Sequence, residues 1–319
     1  MASKTAHSTI KMIVLDLDGT LLNSKLEMTP RTENALKAAI ADGVHVVLAT
    51  GKTRNAGAHL IEKLGIKSPG IYLQGLTIYD PDGTLRWQQT LDPSAARQVL
   101  TFGEERGFKF IAYNGVRVMV RRNDRDIIDG IARYHEPEAE IVGPLQNLMG
   151  VVPIHKLMAI GERRAITALR WQLGAQLNGT VRLMQAGIPT MLEILPPGAS
   201  KGNALKVLLK QMNIPAAQVM AMGDAENDVE TLQTAGLGIA VGNASESLKA
   251  VAKHVVGTND EDGVAEAVER FVLQRKPEGS DDGSPETMID TPPAIVVNPD
   301  AVEEARAAAE PVETNEGSE

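Results

Sequence analysis

Asp16 and Asp18 stand one residue apart, just after the apolar run Met12-Ile13-Val14-Leu15, and Gly19 and Thr20 follow them. Such a run reads as a buried parallel strand, and open α/β sheets bind ligands at the carboxyl ends of their strands. Two carboxylates there are costly unless a cation or a reaction uses them. Asp-Gly is also an ordinary turn that ends a strand, so the rest of the chain must decide. Three more stretches have the same character. Residues 44–49 run into Thr50-Gly51-Lys52, Ser200-Lys201-Gly202-Asn203 opens a helix, and residues 218–222 run into Gly223-Asp224, with Asn227 and Asp228 just beyond.

If these ends meet at one sheet edge, Asp16, Asp18, Asp224 and Asp228 lie together with Lys201 and Thr50 facing them. Carboxylates at that range repel unless a divalent cation offsets them, and an all-oxygen donor set suits a hard ion, Mg²⁺. The six histidines are scattered singly and cysteine is absent, so zinc has little support. A cation, an ammonium, a hydroxyl and a helix N-terminus together suit a phosphate monoester. Asp16 would then be a carboxylate nucleophile that forms an aspartyl-phosphate. Asp18 would protonate the leaving oxygen and later activate water. Lys201 would offset phosphoryl charge, while Thr50 and the N–H groups of Gly19 and Thr20 would bind phosphoryl oxygens.

The elements that must position these residues can be read in order. Thr29 and Pro30 start a helix as N-cap and first residue, and the pattern over residues 12–73 is β-α-β-α-β with short connections. That grammar describes an α/β fold with a doubly wound parallel sheet. From Asp80-Pro81-Asp82-Gly83 onward it gives way to hairpins mixed with helices, including one at Asn114-Gly115. Parallel grammar returns at Ser200. The expected organisation is a discontinuous core, 1–81 and 196–275, holding an inserted α+β cap domain at 82–195. Residues 276–319 read as a disordered acidic tail.

Asp16-Leu17-Asp18-Gly19-Thr20, Thr50-Gly51, Ser200-Lys201-Gly202 and Gly223-Asp224-Ala225-Glu226-Asn227-Asp228, in that order, resemble the haloacid dehalogenase superfamily. The inserted unit and the stretch Gly238-Ile239-Ala240-Val241-Gly242-Asn243-Ala244 are similar to its Cof-type phosphatase branch. The resemblance spans residues 11–273. It implies a Rossmann-like core with a cap, and Mg²⁺ held by Asp16, the backbone oxygen of Asp18, and Asp224, with Asp228 nearby. It also implies phosphate or substrate contacts at Gly51, Lys52 and Asn227. Asp18 matches the phosphatase pattern, since the dehalogenases lack that acid. Two positions depart from the family: Lys52 replaces the usual Arg and lacks its planar fork, and Gln74 replaces the usual Asn before Gly75.

The expected function is therefore an Mg²⁺-dependent phosphatase acting on a sugar phosphate or a phosphorylated cofactor or precursor. A phosphotransferase or sugar-phosphate mutase could share the aspartyl-phosphate step. A non-catalytic binding protein on the same fold would have no use for two acids at this spacing. Specificity belongs to the cap, where Tyr113 and Asn114 are the residues singled out. No cysteine and no membrane-length apolar run suit a cytoplasmic protein, and residues 1–10 lack the apolar stretch of a secretory leader. A homo-oligomer is compatible with the sequence, and no protein partner is legible. From Pro277 onward twelve acidic residues face one basic residue, Arg306. The preceding chain is nearly neutral, so no nucleic-acid footprint is expected. Because the tail carries no motif residue, a chain ending at Arg275 should fold and keep its turnover number. Loss of most phosphate release on that truncation would place the tail within the core or the site.

Overall fold

In the computed structural model, residues 10–133, 135–185 and 188–274 are described. The expected tail and the first nine residues lie outside them.

The first half of the core comprises β1 (Met12–Leu15), α1 (Pro30–Ala41), β2 (His45–Leu48), α2 (Ala58–Leu64), β3 (Gly70–Tyr72), β4 (Thr77–Tyr79) and β5 (Leu85–Gln88). Next come α3 (Pro93–Glu104), β6 (Lys109–Asn114), β7 (Arg117–Val120), α4 (Arg125–Arg133), β8 (Ala139–Ile141), β9 (Lys156–Ile160), α5 (Arg163–Gln176), β10 (Arg182–Gln185) and β11 (Met191–Leu195). The core resumes with α6 (Lys201–Met212), β12 (Val219–Gly223), α7 (Val229–Thr234), β13 (Leu237–Ala240), α8 (Glu246–Lys249), β14 (His254–Val255) and α9 (Gly263–Phe271). α1 begins as its sequence specifies: Thr29 is the N-cap and accepts from the Thr32 N–H, with Pro30 in the first turn. Of these elements, α4, β8 and α8 have no counterpart in the sequence reading.

A parallel sheet of order β14-β13-β12-β1-β2 forms the core. Every residue of β1 is fully buried, as a central strand covered on both faces requires. One expectation needs correcting. β3 is not a full member of this sheet, because it pairs antiparallel with β4, which pairs with β5. It touches β2 through one parallel bridge, Ala49 to Ile71. The cause lies in Leu73, Gln74 and Gly75, whose φ angles of 52°, 61° and 88° turn the chain straight back.

The second sheet has the order β10-β11-β9-β6-β7-β8. Its pairs are antiparallel except β7 with β8. Side chains alternate faces along each strand. Phe110, Ala112, Leu157, Ala159, Leu192 and Ile194 pack with residues of α3 and α5. On the opposite face Ile111, Tyr113, Val118 and Val120 pack with Ile127 and Ile131 of α4 and with Leu73, Leu76 and Ala199 of the core. Asn114 pairs with Arg117, so the hairpin turn is Gly115-Val116, one residue later than Asn114-Gly115.

The boundary expected at 82 falls inside the β4–β5 hairpin. Trp87 packs against the core cluster, whereas Leu91 belongs to the cluster of the second sheet. We propose that the inserted unit starts after Gln88 and ends at Leu195.

Gly75 joins the two halves of the core. Its φ is +88°, and a Cβ there would stand 2.2 Å from the carbonyl oxygen of Ser200. Gly75→Ala should therefore cost about 2 kcal/mol or more, from left-handed strain plus displaced backbone. Urea denaturation measures this, and an unchanged midpoint would show that the Ser200 backbone yields freely.

Candidate active site

β1 sends the chain towards β2 on one side of the sheet, while its other neighbour, β12, leads to β13 on the opposite side. The carboxyl ends of β1 and β12 thus flank a topological switch point, where open α/β sheets form their ligand crevice. The Asp16 N–H donates to the Met222 carbonyl at 3.2 Å, so pairing continues up to the first acid.

Lys201 is the first residue of α6, whose start is fixed by Ser200 Oγ accepting from the Asn203 N–H at 3.0 Å. The Lys201 ammonium is 1% exposed and donates to Asp16 Oδ1 at 2.5 Å and to Asp228 Oδ1 at 2.8 Å. One carboxylate oxygen from each of Asp16, Asp224 and Asp228 lies within 4.8 Å of the others. The second oxygen of Asp228 accepts from the Asp224 and Ala225 N–H groups, both at 3.3 Å. Thr20 Oγ1 donates to Asp224 at 3.1 Å. Gly19 makes this closeness possible: its φ is +82°, and a Cβ would stand 2.6 Å from Asp224 Oδ2. Asn243 holds the Gly19 carbonyl from the other side at 2.8 Å.

The electrostatics follow from burial and charge count. Burial, reinforced by the Asp228 and Asp224 carboxylates, raises the Asp16 carboxyl well above the usual range against the pull of Lys201. Asp224 is raised by burial and by Asp228. Burial alone would lower Lys201, but its two carboxylate partners outweigh that and raise it. Three carboxylates against one ammonium leave an excess of negative charge in a low-dielectric pocket. The donors are all carboxylate oxygens, and no sulfur or imidazole joins the group among the described residues. That set fits a hard divalent cation.

Asp18 faces outward from this cluster. Its carboxylate is 36% exposed and accepts from the Lys52 ammonium at 2.7 Å. Thr50, the residue after the β2 bridge, is 1% exposed, and its Oγ1 accepts from the Lys52 N–H at 3.2 Å. Asn227 donates to Gln74 Oε1 at 3.0 Å, so the departure at position 74 ties two site loops together.

A cavity of about 1090 Å³ opens over these groups. Asp16, Asp18, Thr50, Gly51, Lys52, Asp224 and Asn227 line its core side. Gly19, Thr20, Lys201 and Asp228 are not among its lining residues and support those that are.

The inserted unit supplies the opposite wall, and which of its residues do so, apart from Tyr113, is what the sequence did not disclose. Tyr113, Glu136, Lys156, Met158, Arg182 and Glu193 all line the cavity. Glu136 accepts from Thr53 Oγ1 at 2.5 Å and from the Thr53 N–H at 3.2 Å. Burial raises its carboxyl despite those bonds. Lys156 donates to the Gly51 carbonyl at 2.9 Å and to Glu193 at 2.5 Å. Of the two cap residues expected to matter, Tyr113 lines the cavity, whereas Asn114 points away and donates to the Pro153 carbonyl. Period-two alternation could have put Lys156 and Glu193 opposite the helix-covered face. Nothing in one sequence marks them as wall residues.

His155, one of the singly scattered histidines, sits in the structural framework of the inserted unit. It accepts from the Gly115 N–H and bonds to Gln88, and burial pushes it down to about 4.

Comparison with known proteins agrees with this geometry. A family described as haloacid dehalogenase-like hydrolase matches residues 13–268. Endoribonuclease YBEY, chloroplastic, of Arabidopsis thaliana is 34% identical over 82% of this chain, which spans only 46% of that relative's length. Phosphatase YwpJ of Bacillus subtilis is 31% identical over 82% of this chain and 100% of its own. The 5-amino-6-(5-phospho-D-ribitylamino)uracil phosphatase YcsE of B. subtilis is 28% identical over 83% of this chain and 96% of its own. A crystal structure of a haloacid dehalogenase-like hydrolase from Bacteroides thetaiotaomicron superposes with a TM-score of 0.76, at 28% identity, over 82% of this chain and 100% of that one. With motifs, fold and site in agreement, the chain belongs to the haloacid dehalogenase-like hydrolase family, in its Cof-type phosphatase branch.

Proposed function

We propose that this protein hydrolyses the phosphate monoester of a small metabolite, a sugar phosphate or a phosphorylated cofactor or precursor, with Mg²⁺ as cofactor. The observation that carries the reading is the buried Lys201 ammonium between Asp16 and Asp228, on a cavity that Asp16 and Asp18 share. A binding protein would have no reason to bury a nucleophile with its counter-charge and set a second acid on the same cavity. The name of the B. subtilis relative YcsE states a small phosphorylated substrate, and a cavity of about 1090 Å³ has room for one of that class.

In the proposed reaction a carboxylate oxygen of Asp16 attacks phosphorus as the bond to the ester oxygen breaks. Asp18 gives that oxygen its proton, so the alcohol leaves neutral. Water then loses a proton to Asp18 and attacks the phosphorus of the aspartyl-phosphate, which releases inorganic phosphate and regenerates Asp16. Lys201 orients Asp16 and offsets charge on the transferring group. Asp16, the backbone oxygen of Asp18, Asp224 and Asp228 would hold the cation. When bound, it offsets phosphoryl charge that Lys201 alone cannot. Thr50, Lys52 and the N–H groups of Gly19 and Thr20 are the proposed phosphate contacts, with Gly51 and Asn227 beside them.

Substitution separates the two acids. Asp16→Asn should lose the covalent step and much of the Mg²⁺ affinity. Asp18→Asn keeps its backbone oxygen, so it should still bind Mg²⁺ and substrate while turning over about 10²–10⁴-fold more slowly. The loss should be smaller for an aryl phosphate, whose leaving group needs less protonation, and phospho-enzyme should accumulate. Steady-state kinetics on both leaving-group classes, with titration of Mg²⁺ by calorimetry, check this. Equal slowing on both classes without phospho-enzyme would overturn the acid–base assignment. Transfer of phosphate to a sugar acceptor in place of its release would point to the mutase chemistry.

A further inference from the structure

The cavity wall supplied by the inserted unit holds an almost fully buried ion pair. The side chains of Lys156 and Glu193 are 2% and 3% exposed, with Nζ and Oε1 2.5 Å apart. Both stand on the face of the second sheet that α3 and α5 leave free, since Leu157, Leu192 and Ile194 take the other face. The ammonium is fully engaged. It donates to Glu193 and to the Gly51 carbonyl, and it lies 4.6 Å from the centre of the Tyr113 ring.

Glu193 is not satisfied. Its second oxygen, Oε2, is buried and has no hydrogen-bond partner. Among the described residues, the other side-chain atoms in that condition belong to Arg54, Thr77, Gln218 and Thr231, none of which lines the cavity. A buried carboxylate oxygen without a donor costs the full desolvation of that atom, so Oε2 calls for a partner that the described residues do not supply. The strand beside it presents Met158 and Ile160 to the cavity, side chains without a donor, and Tyr113 lies against Lys156 without a hydrogen bond to Oε2.

We infer that Glu193 is a specificity residue that accepts a hydrogen bond from the alcohol portion of the substrate. Lys156 is its positioning residue. By holding Glu193 and the Gly51 carbonyl together, it fixes the acceptor relative to Thr50 and so to the phosphate end. The ligand class follows from the chemistry. It is a phosphate monoester whose alcohol carries at least one further O–H or N–H donor, such as a polyol or sugar, and no carboxylate at that point. Alkyl and aryl esters lacking such a donor would leave Oε2 buried and unpaired, and a site built around one polar contact rejects analogues on that ground. This inference rests on the phosphatase reading above.

The test uses the full chain with Mg²⁺ and a panel of ribitol 5-phosphate, glucose 6-phosphate, n-pentyl phosphate and p-nitrophenyl phosphate. The readout is the ratio, within each variant, of kcat/KM on the better hydroxylated ester to kcat/KM on p-nitrophenyl phosphate. A ratio is insensitive to how much of the variant is folded. The native protein should prefer a hydroxylated ester over n-pentyl phosphate by about tenfold or more. Glu193→Gln should lower the ratio about 10- to 100-fold, the worth of one hydrogen bond to a charged acceptor. Glu193→Asp, which keeps the charge beside Lys156 but withdraws the oxygen, should lower it as well. An unchanged ratio in both variants overturns the inference. So does a native protein that hydrolyses p-nitrophenyl phosphate yet shows no preference for hydroxylated over n-pentyl ester, an outcome that leaves the phosphatase reading standing. Phosphate release from none of the four esters would remove the phosphatase reading itself.

Discussion

One buried ammonium organises the acidic cluster at the edge of the core sheet. Lys201 bonds to Asp16 and Asp228, groups 185 and 27 residues away in the chain, with 1% of its side chain exposed. Removing one member of a buried charge set strands the others, at about 3–5 kcal/mol. The arrangement therefore reads better as a site than as a source of stability. Charge balance makes the same point. Lys201 can neutralise one carboxylate of the three, and the remainder shows in the raised Asp16 and Asp224. Two further positive charges at that spot would offset the other two carboxylates, which is why the residues suit a divalent cation.

The sheet delivers these groups together at little cost in local structure. β1 and β12 are neighbours in register, Leu15 beside Met222, so Asp16 emerges beside Gly223, one residue before Asp224. α6 then brings Lys201 in at its first turn, capped by Ser200. That serine hydroxyl also bonds to Glu230, at the start of α7 after the Asp228 loop. Each functional side chain thus sits at the end of a regular element whose path is set elsewhere, by core packing of residues such as Ile13, Leu205 and Met220. Rigid elements hold a reacting constellation more closely than loops do.

The sequence made this half legible for a physical reason. Asp16, Asp18, Lys201, Asp224 and Asp228 are charged residues at the ends of apolar runs, where burial of charge needs explaining, and the runs themselves announce strands. The same logic failed for β3. Its apolar composition fits a parallel strand, and only the three successive positive φ angles at Leu73, Gln74 and Gly75 turn it into a hairpin partner of β4. Two of those residues are not glycine, so the turn has no compositional marker. The inserted unit was legible as a fold, but of the wall it forms only Tyr113 was named from the sequence. Lys156 and Glu193 lie on strands of alternating pattern, and a charge on the inner face looks the same in sequence as one on a solvated face. Which face meets the core depends on how two sheets pack, and that is not a local property of either strand.

The short loop after β2 belongs to both halves at once. Lys52 reaches down to Asp18, while Gly51 and Thr53 reach across to Lys156 and Glu136. Thr53 is fully buried and Lys156 nearly so. Lifting the inserted unit away from the loop must break these contacts across the junction, each worth about 0.5–3 kcal/mol when charged or buried groups are involved. Water must replace them, or the exposed partners stay unpaired. The residues that would separate first are therefore the neighbours of Thr50 and Lys52, the same loop that bears on Asp18. In this chain the usual arginine at position 52 is a lysine, a point donor without a planar fork. It commits to Asp18 at 2.7 Å, while Glu136 is bound by the next residue along. Access to the cavity and the setting of its outer acid are thus mechanically joined through four consecutive residues, 50–53.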